Sequence, residues 1–208
     1  MRKRVLARAA IASCAAALSL GVASVQPASA APLPLANWTA NVKTHVGALV
    51  NQDVTIPTGK FNGSVETTTG AMTGTLDLPA TTFTYNALFI IPTTVTYHVD
   101  QVGTPPITGT VDFTNNTVTA KDTFNVRLSS VKLFGIEILD ATTVCKTTAP
   151  SVANLSGTLN LSASPATVKL SGTYDIAALD GCGFLGGFVS AFTAGAGNTL
   201  DVTITGPS

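Results

Sequence analysis

A short phrase recurs five times along the chain and restricts its fold more than any other feature. It runs polar, glycine, hydroxyl, apolar, acid or amide, and then usually apolar. The five copies are Asn62-Gly63-Ser64-Val65-Glu66, Thr73-Gly74-Thr75-Leu76-Asp77-Leu78, Thr108-Gly109-Thr110-Val111-Asp112-Phe113, Ser156-Gly157-Thr158-Leu159-Asn160-Leu161 and Ser171-Gly172-Thr173-Tyr174-Asp175-Ile176. Period-two alternation places Val111 with Phe113, and Tyr174 with Ile176, on one face, with hydroxyl and carboxyl groups on the other. One dry and one wet face is the pattern of an antiparallel sheet. A glycine fixed near the start of each strand implies a bulge, a bend or a close approach by the neighbouring backbone. The intervals between these glycines, 11, 35, 48 and 15 residues, are too irregular for a solenoid. The close pairs, Gly63 with Gly74 and Gly157 with Gly172, read as hairpins.

The same alternation continues between the phrases. Val95, Tyr97 and Val99 alternate with Thr94, Thr96 and His98, and Phe124, Val126 and Leu128 alternate with Thr123, Asn125 and Arg127. The phase slips at Leu133-Phe134-Gly135, which reads as a bulge or turn. Turn signals at Pro92, Gly103-Thr104-Pro105-Pro106, Asn115-Asn116 and Ser164-Pro165 divide the chain into about nine or ten strands, an all-β antiparallel sandwich or barrel. Two segments carry helical spacing. Residues 31–50 read as an N-terminal extension or short helix, with Trp38, Val42, Val46, Leu49 and Val50 near one face. Gly183 to Ala194 brings Phe184, Leu185, Phe188, Val189 and Phe192 within about 140° of a helical wheel. Gly186 and Gly187 oppose that helix by about 1 kcal/mol each relative to alanine. The segment reads as a short apolar helix or loop packed over an end or face of the sheet.

The N-terminus has the layout of a secretory signal: Arg2, Lys3, Arg4 and Arg8, then an uncharged run from Ala9 to Val25, then Ala28-Ser29-Ala30. The expected organisation is a cleaved signal peptide over residues 1–30, the extension over 31–50 and a single β domain over 51–208. Cys14 falls too early in the apolar run to be a lipoprotein acylation site, and the run is too short to span a bilayer. Export leaves Cys145 and Cys182, which in an oxidising compartment read as a disulfide. Closing their loop stabilises a fold by about 4 kcal/mol in the chain-entropy model.

Beyond residue 30 the chain holds seven basic residues (Lys43, Lys60, Lys121, Arg127, Lys132, Lys146 and Lys169) against eleven acidic ones, a net charge of −4 with both histidines neutral. A weakly acidic chain with scattered lysines has no electrostatic footprint for nucleic acid and no polybasic cluster for an anionic membrane. Catalytic signatures are missing. His98 shares a face with Asp100, a pairing that could orient a base, but no nucleophile is identified and no Gly-x-Ser-x-Gly elbow occurs. The carboxylates Glu66, Asp77, Asp112 and Asp175 read as solvating the outer face. Two histidines beside a disulfide do not make a zinc site, and no phosphate loop or calcium loop is present. No cofactor, metal or catalytic residue is therefore assigned.

The Ala-rich signal, the Thr-Gly-Thr strand style, Val144-Cys145-Lys146-Thr147-Thr148, Gly181-Cys182-Gly183 and Gly195-Ala196-Gly197-Asn198-Thr199 together resemble a group of small secreted β-rich proteins of actinobacteria. The resemblance covers most of residues 50–205. It implies export and an all-β fold with one disulfide, and it supplies no catalytic residue.

The expectation is a secreted, non-catalytic domain that binds an apolar or amphipathic ligand, such as a lipid, or a cell-envelope component. Phe184, Leu185, Phe188, Val189, Phe192 and Tyr97 are the candidate contacts, within a wider aromatic set of Phe83, Phe89, Phe113, Phe124, Phe134 and Tyr174. The alternative is a structural or adhesive surface protein that uses its Thr-rich face; a hydrolase built on His98 comes third and a spanning pore fourth. A carrier predicts an internal cavity of roughly 300 Å³ or more. A hydrolase predicts His98 within reach of an acid and a hydroxyl in one cleft.

Overall fold

The computed structural model describes residues 31–47, 50–88, 90–140, 142–183 and 186–207. Thirteen strands and one short helix follow one another: β1 (Leu33–Val46), β2 (Gln52–Val65), β3 (Ala71–Asp77), β4 (Thr81–Ala87), β5 (Ile91–Gln101), β6 (Ile107–Asp112), β7 (Thr117–Leu133), β8 (Ile136–Leu139), β9 (Cys145–Thr147), β10 (Ser151–Asn160), β11 (Thr167–Ile176), β12 (Leu179–Asp180), α1 (Gly186–Thr193) and β13 (Gly195–Thr205). The all-β antiparallel reading holds, with more strands than expected. The break expected at Leu133-Phe134-Gly135 is the turn between β7 and β8.

Tracing backbone pairing from β1 leads through β2, β3, β6, β7, β10, β11 and β13 and returns to β1, every pair antiparallel. Eight strands thus close into a barrel, an arrangement that removes sheet edges. The first half of β7, Thr117 to Phe124, lies in this ring between β6 and β10. Its second half runs on past the ring, flanked by β5 on one side and by β8 and β9 on the other. β4 pairs with β5, and β9 pairs with β12, against which α1 packs. The barrel therefore has a mouth end, where the hairpin turns β2–β3, β6–β7 and β10–β11 lie, and a far end with these additions.

The recurrent glycines explain how the ring closes. Gly63, Gly74, Gly109, Gly157 and Gly172 all occupy inward-facing positions on successive strands, and Gly63 pairs with Gly74 directly. A Cβ at Gly157 would lie 1.8 Å from the Lys169 carbonyl oxygen, and one at Gly109 2.1 Å from that of Thr119. The strands coil so sharply here that the neighbour's backbone occupies the space of the side chain, the glycine kink by which barrels turn corners. Between kinks the inner face is apolar: Val42, Ile56, Phe61, Leu76, Val118, Leu155, Leu170 and Val202 are among the buried residues. The outer face is wet and carries paired threonines, Thr82 with Thr96 at 2.7 Å, Thr84 with Thr94 at 2.9 Å and Thr110 with Thr119 at 2.8 Å. A barrel that crosses a bilayer carries its apolar band outside, the reverse of this arrangement. No helix among the described residues is long and apolar enough to cross a membrane.

Residues 31–50 correct the sequence reading. Leu33–Val46 is not a helix but strand β1, bonded to β13 on one side and β2 on the other. Trp38, Val42 and Val46 recur every four residues, a spacing that helical and period-two patterns share. Ala40 and Thr44 decide between them, because they are buried in the alternate inward positions where a helix would not put them. The second helical segment forms, and α1 spans Gly186–Thr193. The disulfide is also present: Cys145 of β9 and Cys182 beyond β12 have Cα atoms 4.4 Å apart.

Candidate functional site

Three hollows lie in series along the barrel axis. The first opens at the mouth end and has a volume of about 180 Å³. Its wall comes from Leu35 and Trp38 of β1, Phe61 and Val65 of β2, Met72 of β3, Val111 of β6, Val118 of β7, Leu159 of β10, Val168 and Leu170 of β11 and Ile204 of β13. Leu33, Phe113 and Leu161 form its rim and are large apolar side chains left exposed, at 49%, 38% and 55%. A deeper hollow of about 20 Å³ lies between Phe61, Met72, Ile107, Leu155, Leu170 and Val202. The third, of about 60 Å³, occupies the far half and is lined by Val42, Thr44, Phe83, Val95, Tyr97, Phe124, Tyr174, Thr193 and others.

The mouth is a product of the recurrent phrase. Asp112 accepts from the backbone N–H groups of Thr114 and Asn115 at 2.9 and 3.0 Å, and from the Asn115 amide at 2.7 Å. Those bonds hold its carboxyl below the usual range, the Asn115 backbone bond contributing most. Asn160 likewise accepts from Ser162 N–H and Ala163 N–H, both at 3.1 Å. Each acid or amide therefore closes an Asx-type turn, and the apolar residue that follows it, Phe113 or Leu161, is left on the rim. The sequence reading gave Asp112 only a solvating role. The signal for the turn was the adjoining Asn115-Asn116 and Ser162-Ala163-Ser164-Pro165.

One carboxylate lies inside the barrel. Asp122 faces inward from β7, is 4% exposed, and lines both the middle and the far hollow. Gln101 Nε2 donates to its Oδ1 at 2.9 Å, while Gln101 Oε1 accepts from Leu76 N–H at 2.6 Å. The glutamine thus serves a β3 amide beyond the last β3–β6 pair, Gly74 with Ile107. Burial pushes the Asp122 pKa up to about 6, against the smaller opposing effect of its hydrogen bonds. Among the described residues, no Lys, Arg or His lines any of the three hollows.

Two tyrosines share the far hollow. Tyr174 Oη and Thr44 Oγ1 are 2.7 Å apart, and Thr44 donates onward to the Thr199 carbonyl. Tyr97 Oη is enclosed without a hydrogen-bond partner among the described residues, and the Thr81 hydroxyl donates instead to the Pro79 carbonyl at 3.3 Å. Burial raises the pKa of both phenols.

The expected contact residues therefore divide. Tyr97 lines the far hollow, Val189 is buried on α1, and Phe188 and Phe192 belong to α1 with side chains outside the described part. Phe184, Leu185 and Phe89 lie outside the described residues. Phe83, Phe124 and Tyr174 line the far hollow, Phe113 the mouth, and Phe134 is exposed on the β7–β8 turn. Both the mouth and the far hollow are smaller than the 300 Å³ expected of a carrier that engulfs its ligand.

His98 does not stand alone. Its Nε2 lies 2.9 Å from Ser129 Oγ. Ser129 is the extra residue of a bulge, since Thr96 pairs with Ser130 and Tyr97 with Leu128. Asp100 is taken by Arg127, which donates to it at 2.7 and 3.2 Å. Desolvation, then the Arg127 charge, lower the His98 pKa. The pair lies on the outer face and lines none of the hollows, so it is a surface hydrogen bond rather than a cleft with three cooperating groups. Comparison of the chain with protein-family models, with curated proteins and with solved structures finds no match.

Proposed function

We propose that this is an exported, non-catalytic domain that binds an apolar or amphipathic molecule by holding its apolar part in the barrel mouth. The mouth hollow supports this reading: about 180 Å³ with an apolar wall and three exposed apolar rim residues. An apolar protein cavity of about 150 Å³ stays dry and takes up a benzene ring. Filling such a hollow removes apolar surface from water on both partners, at roughly 25 cal/mol per Å². The hollow suits one ring or one alkyl segment. The N-terminal secretory layout and the disulfide agree with a location outside the cytoplasm.

Trp38 is the sole tryptophan and stands in the mouth wall, so it reports occupancy. A bromine-labelled long-chain alcohol is expected to quench Trp38 saturably. Leu161→Asp and Phe113→Asp place a charge on the rim and are expected to weaken binding roughly tenfold or more, about 1.4 kcal/mol, with little change in thermal midpoint. Unsaturable quenching, identical in the rim variants, would remove the reading. The adhesive alternative draws on a broad open depression of about 600 Å³ on the outer face, edged by Thr108, Thr110, Thr119, Lys121, Asn154 and Ser156.

A further inference from the structure

We propose that the ligand of this barrel carries a protonated amine, whose partner is Asp122, with its alkyl tail lying in the mouth hollow. The inference rests on the mouth-binding reading and adds the chemical class of the ligand head. Three observations carry it.

First, the hollows adjoin one another. Phe61, Met72, Leu170 and Ile204 wall both the mouth and the middle hollow, and Leu76 and Asp122 wall both the middle and the far hollow. Met72 stands at the first junction, and an unbranched thioether side chain yields more readily than a branched one. From Val118 at the mouth to Asp122 is four strand residues, roughly 13 Å along β7.

Second, among the described residues the hollows are lined by one carboxylate and by no Lys, Arg or His. The groups facing Asp122 are Leu76 and Gln101 from β3 and β5, Ile107 from β6, Leu155 from β10, Leu170 from β11 and Val202 from β13. The remaining titratable neighbours are the phenols Tyr97 and Tyr174, both kept neutral by burial. A buried charge without a counter-charge is unfavourable, and an ammonium group is its complement.

Third, the internal network does not require the charge. Gln101 needs only an acceptor opposite its Nε2, and an asparagine at 122 would provide one.

The test compares decylamine, decanol and decanoate, each below its micelle concentration, by Trp38 fluorescence with the full chain at pH 7.5. The expected order is decylamine at least about tenfold tighter than decanol, with decanoate weakest. Asp122→Asn is expected to abolish the amine's advantage and to leave decanol binding in place, which also shows that the variant folds. Lowering the pH below the Asp122 pKa is expected to erase the advantage in the wild-type chain. Equal affinity for amine and alcohol, or an amine preference that survives Asp122→Asn, would overturn the amine assignment while leaving the mouth reading intact. Binding of none of the three would overturn both.

Discussion

At the mouth end, two of the three hairpin turns are tied by their own strands: Asp112 and Asn160 cap the turns that follow them, and the axis between the turns is left apolar and open. At the far end, distant parts of the chain are tied to one another. The Cys145–Cys182 disulfide joins β9 to the segment beyond β12, and Asn198 bonds Gly47 N–H and the carbonyls of Tyr174 and Gly195. Apolar side chains are exposed there too, but on the β4–β5 and β7–β8 turns (Leu88, Ile90, Phe134 and Ile136), which line none of the hollows. Among the described residues the mouth's ties join neighbouring strands around the axis rather than across it, as Leu159 N–H with the Asn116 carbonyl and Gly206 N–H with that of Ala166, and the mouth stays hollow. Long-range ties fill the far end and leave little space within.

The sharpest way to break this contrast is at the disulfide. Replacing Cys145 and Cys182 by alanine together is expected to lower stability by about 4 kcal/mol, mainly by freeing the unfolded chain. Hydrogen exchange should show protection lost first in β9, β12 and α1, with β10 and β11 retained. Uniform loss across the barrel would mean that the two ends form one cooperative unit. The next effect belongs to the ring itself. Gly157→Ala forces a Cβ against the Lys169 carbonyl and is expected to cost about 3 kcal/mol by parting β10 from β11. Gly187→Ala in α1, where a Cβ meets no atom within 4 Å, is the control and is expected to stabilise by about 0.5 kcal/mol.

Asp122 lies between the two ends and gives a pH-dependent test. Its folded pKa is raised from 3.8 to about 6. The folded chain therefore keeps a proton that the unfolded chain has released, and the stability present below the unfolded value is lost as pH rises through about 6. The full loss is about 3 kcal/mol. Urea melts should find Asp122→Asn more stable than wild type at pH 8 by up to that amount, and nearly equal to it at pH 4. A variant no more stable at pH 8 would show that the carboxylate is better compensated than its neighbours indicate.

The fold was legible where one residue could do only one thing. Inward glycines at Gly63, Gly74, Gly109, Gly157 and Gly172 announced strands that bend, and two cysteines admitted one disulfide. It was illegible where a residue satisfied two patterns at once, as Val42 and Val46 satisfied both helix and strand in β1. The mouth was half legible. Phe113 stood among the candidate aromatics, but Leu33, Trp38 and Leu161 did not, because a site made by ring closure collects residues from strands that share no sequence neighbourhood. Asp122 was given no role from the sequence, although Phe124, Val126 and Leu128 share its phase. Its inward place follows from the phase shared with Val118, Ala120 and Phe124, which alternation discloses once the face of β7 is known.

The seam between β1 and β13 sets an order in time. Thr39 pairs with Thr205, so two strands from opposite ends of the described chain are neighbours in the barrel. Hairpins such as β2–β3 and β10–β11 can form as soon as their own residues are available. β1 can pair with β2 early, but its other edge must wait for β13, and contacts between such distant residues form slowly. Until then the apolar faces of β1 and β13 are both uncovered, so the chain is most open to aggregation and proteolysis just before its final ladder forms.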